Sequence, residues 1–307
     1  MNPPVATPAD LAATSRRPVD PDVPSAGEPD APGSARTSRR WFRRRPITVS
    51  LVLAWLVVLV ALLFALVPGL FTDYDPVRGI AAEKLQAPSA AHPFGTDQIG
   101  RDLFARVVYG AVHSLSGAFV AVLVGLVVGT AIGVLAGSLG GVVDGVLMRI
   151  VDVLLSIPGL LLALAVIILL GFGTINAAIA VGIGSIAAFA RLSRSEVVSV
   201  RRSDYVEAAF GSGGRFFSVL WRHVLPNSVS PVLSLAALQL GVAILAISTL
   251  GFLGYGAPPP TPEWGLLIAE GRNYVATSWW LTTFPGLIVV AVVLSANRIS
   301  QSIGRSS

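Results

Sequence analysis

The chain has 307 residues, 53% of them hydrophobic and 13% charged, with a net charge of +5 and a mean hydropathy of +0.73, whereas a soluble domain carries roughly 25% charged residues. This balance points to a membrane protein with little chain left for a separate soluble domain, and the lack of cysteine excludes disulfide frameworks, thiolate nucleophiles and cysteine zinc sites. Nucleic-acid binding is not implied, because the arginines gather before the first apolar stretch and between Arg191 and Arg222, as on cytoplasmic flanks.

Residues 1–46 are rich in Pro, Ala, Asp and Ser and end in a basic run from Arg39 to Arg45. They read as a disordered, basic cytoplasmic tail, because so few large apolar residues cannot offset the entropy of ordering. Residues 47–70 form the first apolar stretch, too long and too far from the start for a cleaved signal peptide. About 20 apolar residues span the hydrocarbon core as a helix. Further spans are predicted over 114–137, 146–171, 176–192, 229–254 and 279–297, the fourth diluted by Gly182 and Gly184. Gly125, Gly129, Gly133 and Gly137 recur at every fourth position, which predicts close approach by another helix.

With the arginine run inside, the segments 71–113, 172–175 and 255–278 fall outside, and 138–145 and 193–228 fall inside. The inner 193–228 segment carries Arg194, Arg201, Arg202, Arg215 and Arg222, while the outer 255–278 segment sets Arg272 against Glu263 and Glu270. Both termini are then expected in the cytoplasm.

The long inner segment contains Asp204-Tyr205-Val206-Glu207-Ala208-Ala209, then Gly213, and, after eleven intervening residues, Leu225-Pro226. Asp204 is expected to cap a helix, with Glu207 three residues on favouring its dipole. Ala208 and Ala209 allow a partner to approach the backbone, Gly213 and Gly214 end the helix, and Leu225-Pro226 starts the next span. Glu-Ala-Ala alone is a common helical tripeptide, so its place between the fourth and fifth spans carries the weight.

That spacing and position resemble the EAA loop of ABC importer permeases. The stretch from His92 through Asp97, Arg101 and Asp102 to Arg106 is similar to the dipeptide, oligopeptide and nickel branch. So are Pro259 to Gly265, which includes Glu263 and Trp264, then Glu270 to Arg272, Phe284 to Gly286, and Arg149, Asp152 and Ser156 to Pro158. The likeness covers roughly residues 92–297. The end from Arg298 onward departs from the branch's usual Gly-Asp-Gly-Leu-Arg-like close. The resemblance implies an all-α type I permease of six transmembrane helices, with a permease domain over 114–303 and a coupling helix near 203–214. It implies a homologous permease partner in a heterodimer, two cytoplasmic ATPases and an external solute-binding protein or lipoprotein, in a bacterial plasma membrane. The solute would be a di- or oligopeptide, with nickel chelates or glutathione as alternatives. No P-loop Gly-Lys-Ser/Thr occurs, so this chain is expected to bind no cofactor and to be no enzyme, with ATP and Mg used by the partner subunits.

Within the spans, Arg149 and Asp152 lie three apart and read as a local ion pair or as cavity-lining groups. Pro158 is expected to kink its span. Gln239 and Asn176 either line the translocation path or tie helices together, and Trp279 and Trp280 suggest an aromatic belt. Asp97 to Arg106 suggests a short amphipathic helix on the outer surface. An ion-coupled secondary transporter, the more distant alternative, would show midplane ionisable residues and internal repeats, which are not evident.

Overall fold

A computed structural model describes residues 49–304; the tail over 1–46 and its arginine run lie outside the described residues. The described residues form ten α-helices: α1 (Val49–Leu66), α2 (Leu103–Leu139), α3 (Gly141–Ser156), α4 (Gly159–Leu170), α5 (Thr174–Arg201), α6 (Asp204–Gly211), α7 (Phe216–Val219), α8 (Leu225–Phe252), α9 (Trp264–Gly271) and α10 (Trp280–Gly304). A π-helical turn, Leu220–Val224, joins α7 to α8 without interruption. Five helical stretches are long and apolar enough to cross a membrane, and the bent α3–α4 pair makes a sixth.

The spans run further than hydropathy alone predicts. α2 starts eleven residues before position 114, and α3 starts at Gly141, so the expected 138–145 segment shrinks to a turn at Gly140 with φ +69°. α5 continues to Arg201 and α7 restarts at Phe216, so the expected 193–228 loop is mostly helical. Once an apolar stretch has nucleated a helix, polar residues prolong it at little cost per residue, which hydropathy does not register.

The third span differs more sharply. It is broken at Ile157–Pro158 into α3 and α4, which meet at 95°. Ile157 and Pro158 are both extended, as the residue before a proline prefers. Pro158 lacks the N–H that would continue the ladder. At the other end of α4, Asn176 Nδ2 donates to the Leu170 and Gly171 carbonyls.

α2 and α5 make the most extensive packing in the bundle. The glycine row predicted in α2 faces α5: a Cβ on Gly125 would strike Ser185 and Phe189, one on Gly129 would strike Ile186, Phe189 and Ala190, and one on Gly133 would meet Ser193 Cβ at 2.7 Å and Arg194 N at 2.8 Å. Gly182 of α5 returns the arrangement against Ala121 and Val124. In lipid, helices gain little from mutual apolar burial, so close backbone packing of this kind supplies the attraction. α8 packs against both members of this pair, α10 lies against α8, and α1 lies against α10 and α2. Arg298 of α10 donates from Nε to Ser50 Oγ at the start of α1 at 3.0 Å. Chain alternation puts the C-termini of α2 and α5 at the end of the bundle that carries α6, and the 67–102 and 253–279 segments at the opposite, α9 end.

Gly133→Ala should lower the midpoint of thermal unfolding in detergent, by an amount corresponding to about 1–3 kcal/mol of overpacking. Gly145→Ala, where a Cβ meets open space, should not. Equal midpoints for the two variants would remove the seam from this role.

Candidate functional site

Three regions hold the residues singled out by sequence. The first is α6. Its N-cap is Ser203 in extended geometry, with no side-chain capping bond, so Asp204 is the first helical residue rather than the expected cap. Asp204 and Glu207 both lie in the first turn, where carboxylates favour the positive end of the helix dipole. The end is as expected: Gly213 adopts φ +86°, its N–H bonds the Phe210 carbonyl, and Gly214 N–H bonds the Ala209 carbonyl. At φ +86° only glycine sits without strain.

One face of α6 is anchored. Val206 is fully buried in a small apolar cluster with Val197 of α5, Val219 of α7, and Leu220 and Val224 of the π turn; Ala209 and Leu225 pack at its edge. Tyr205, Glu207, Ala208 and Phe210 point outward, as do Phe217 at 73% and Trp221 at 70% exposure just beyond. The result is a knob held at its root with an exposed face of small, acidic and aromatic groups. Sequence reading missed Val206 and the aromatic rim; an isolated valine between Asp204 and Glu207 is the signal that marks the seated face. Pro226 follows directly on the π turn within the continuous Phe216–Phe252 helical stretch, where its ring supplies no N–H to the ladder.

The second region is the α9 end, which holds a buried ionic lock. Asp97 Oδ1 accepts from the backbone N–H groups of Ile99 and Arg101, both at 3.0 Å. Its Oδ2 accepts from Arg101 Nε at 2.5 Å and Arg106 Nη1 at 2.9 Å. Glu270 Oε2 receives the same Arg106 Nη1 at 2.5 Å and Arg101 Nη2 at 3.2 Å, so two cations face two carboxylates. Arg106 is only 1% exposed. Asp102 caps α2 by accepting from Ala105 N–H at 2.6 Å, and its other oxygen meets His92 Nδ1 at 2.9 Å.

This corrects the expected amphipathic surface helix over Asp97 to Arg106. Gly95 and Gly100, at φ +75° and +83°, turn the chain, and helix begins only at Leu103. The charged residues are buried because opposite charges arrive from α9. Beside them, Trp264 is fully buried, donating Nε1 to the Val107 carbonyl at 2.9 Å and its backbone N–H to Ser114 Oγ at 3.1 Å. Trp280 is also buried, with Nε1 donating to the Thr96 carbonyl at 3.3 Å, so of the expected aromatic belt only Trp279 is exposed.

Glu263, expected among the charges of an outer loop, is 0% exposed. Burial pushes its carboxyl pKa above the ordinary value, against a smaller lowering from the Ala257 N–H that donates to Oε2 at 2.8 Å. Oε1 has no hydrogen-bond partner among the described residues.

The third region is the middle of the bundle. Gln239 lines a cavity of about 360 Å³ with Gly159, Leu160, Ser185, Val242 and Thr249, beside the α3–α4 break. Asn176 instead ties α4 to α5. Asp152 pairs with Arg191 of α5 at 2.6 Å, both more than half exposed, and not with Arg149 three residues away. The pair is therefore between helices rather than local, because the α3–α4 break lays α3 against α5.

A multi-pass helical bundle with a broken span and a short knob between its fourth and fifth spans defines the class of a membrane permease. Residues 129–306 match the family model described as binding-protein-dependent transport system inner membrane component, and the chain belongs to that family. It is 40% identical over 258 residues to the probable D,D-dipeptide transport system permease protein of Escherichia coli, covering 84% of this chain and 86% of the relative. A dipeptide transport system permease protein of Alkalihalophilus pseudofirmus is 37% identical over 79% of this chain and 80% of its own. A glutathione transport system permease protein of Pectobacterium atrosepticum is 38% identical over 88% and 90%. In fold, the chain is similar to an inward-facing methionine ABC transporter chain, with a TM-score of 0.52 at 19% identity over 64% of this chain and 96% of that one. An amino acid ABC transporter gives 0.52 at 15% identity over 66% and 94%. The chain is thus an ABC importer permease subunit of the dipeptide and glutathione branch, with the type I fold.

Two predictions follow from the α9 end. Asp97→Asn leaves two buried guanidiniums facing a single carboxylate, and breaking such a pair costs about 3–5 kcal/mol. The unfolding midpoint in detergent should fall clearly, whereas Asp75→Asn, at the exposed Asp75–Arg78 pair, should leave it unchanged. For Glu263 the folded pKa lies above the unfolded one, so its contribution is complete below the ordinary value of 4.5 and is lost as pH rises through the folded value. The stability of Glu263→Gln relative to the parent should therefore rise with pH above 4.5. A difference that stays flat up to roughly pH 8 would contradict this.

Proposed function

We propose that this chain forms the path and the mechanical input of an ATP-driven importer of di- or oligopeptides, delivered by an external solute-binding protein or lipoprotein. The observation that carries the reading is α6, a short helix rooted by Val206 and presenting Tyr205, Glu207, Ala208 and Phe210 outward at the end of α5. Such a knob suits a groove on a nucleotide-hydrolysing partner. Movement of that partner would reach α5 through the two-residue junction Arg202–Ser203, and α2 through the glycine seam. Hydrolysis of ATP with Mg belongs on this reading to two cytoplasmic ATPases, and the other half of the path to a homologous permease in a heterodimer. The chain itself is then a transport subunit and no enzyme.

The α6 end is read as cytoplasmic. Arg191, Arg194, Arg201, Arg202, Arg215 and Arg222 gather there, whereas Arg101 and Arg106 at the α9 end are neutralised by buried carboxylates. Excess positive charge stays inside, which supports a reading with both termini in the cytoplasm of a bacterial plasma membrane. The glutathione reading has its own support, because relatives named as glutathione permeases match as well as those named for dipeptides.

Glu207→Arg and Gly213→Trp should abolish uptake and the link to ATPase activity while leaving insertion in the membrane intact, since both lie outside the spans. Normal uptake by both variants would remove the coupling role. Uptake of dipeptides, longer peptides, glutathione and nickel chelates by a deletion strain, with and without the gene restored, separates the solutes; loss of metal uptake alone would reject the peptide reading.

A further inference from the structure

At the α6 end, a polar cavity of about 310 Å³ opens where the C-termini of α2 and α5 meet the N-terminus of α3. It is lined by Arg194, Arg201, Arg202, Asp144, Gly140 and Val198. The volume is about ten times a water molecule's share of the liquid, enough for a phosphate group and its nearest substituents.

The arginines are held for different reasons. Arg194 forks onto Asp144, with Nε to Oδ1 and Nη2 to Oδ2 both at 2.6 Å. Arg201 directs Nη1 to the Gly137 and Ser138 carbonyls at 2.8 and 2.6 Å, capping the end of α2. A guanidinium carries five donors on three nitrogens, and no bond from Nε or Nη2 of Arg201 is found among the described residues. Arg202 is exposed, and its side chain has no ion-pair or hydrogen-bond partner among them. Two arginines are thus fixed in place, and a third is free at the rim.

The electrostatics favour an anion after all contributions are counted. Three guanidiniums against one carboxylate leave a formal +2 in the cavity. Each helix end carries about half a charge. The two C-termini subtract about one unit and the α3 N-terminus returns about half, so a net of about +1.5 persists. Planar guanidiniums match phosphate oxygens in geometry as well as charge. The position is also specific: exposed Leu139 and Val142 flank Gly140, so the apolar surface of the bundle ends at the mouth of the cavity. Basic pockets between spans at such a boundary are suited to phosphate headgroups.

We propose that the Arg194–Arg201–Arg202 cavity binds a phosphate group at the membrane boundary, carried either by an anionic lipid headgroup or by free inorganic phosphate. A bound phosphate would bridge the α2–α3 turn to the junction from which α6 springs. The site would exist whether or not α6 couples to an ATPase, so its test is a binding measurement independent of transport.

The full chain, purified in detergent with the subunits that accompany it, is titrated with phosphatidylglycerol, phosphatidylcholine or inorganic phosphate and examined by native mass spectrometry. Phosphatidylglycerol adducts should exceed phosphatidylcholine adducts, and Arg202→Gln should weaken them about fivefold, the value of one basic residue near an anionic surface. Arg78→Gln, an exposed arginine at the opposite end, should have no effect. Phosphate adducts that depend on Arg202, without preference between the lipids, would assign the site to free phosphate. Adducts equal among all three probes, unchanged by Arg202→Gln, or weakened equally by Arg78→Gln would overturn the proposal.

Discussion

The close contact between α2 and α5 is the constraint on which the rest of the molecule depends. Apolar burial drives little between helices whose surroundings are also apolar, so they stay together by shape. Gly125, Gly129 and Gly133 let the α5 backbone approach nearer than any side chain would permit. The consequence is mechanical. α5 runs directly into the turn before α6, and α2 reaches the opposite end, where Asp102 caps it and Arg106 enters the ionic lock. A displacement applied at α6 therefore acts on a pair of helices that cannot separate without opening voids along several turns.

The ionic lock explains how the α9 end can be rigid and still carry charge. Removing ions from water costs several kcal/mol each, and attraction offsets this only with good geometry and no surplus charge. Asp97 and Glu270 meet Arg101 and Arg106 in equal number, and Asp97 also gathers two backbone N–H groups. Such a lock adds little net stability over an apolar core, but it penalises any other register between α9 and α2. Trp264 fixes the same register by its two hydrogen bonds into α2. Glu263 differs: with one bonded oxygen and no cation it is held by burial toward its neutral form.

Much of this was legible in the sequence where the signal is local. The fourfold glycine spacing announced a close helix contact, and Glu207-Ala208-Ala209 followed by Gly213 placed α6 nearly to the residue. Pro158 announced a kink, but not a full break of 95°, because the angle is set by what α3 packs against. The lock was illegible for a different reason. Arg101 and Arg106 lie 169 and 164 positions from Glu270, and a charged residue in a polar segment looks exposed until its distant partner is known. Asp152 misled similarly, since Arg149 was the near cation and Arg191 the true one.

The shortness of α6 has a further consequence. Eight residues cannot sustain a helix in water, because nucleation is unfavourable and few bonds follow it. Its persistence here comes from tertiary support: Val206 inserted beneath, Ser203 and Gly213 shaping the two ends, and the π turn at Leu220–Val224 offering Leu220 and Val224 as the seat. A helix that is rigid only while seated ties two properties together. Any force that pulls α6 outward must first lift Val206 from its cluster, so load passes into α5 and α8 before the helix can unwind. Stiffness at the exposed face is thereby borrowed from the bundle rather than intrinsic to the segment.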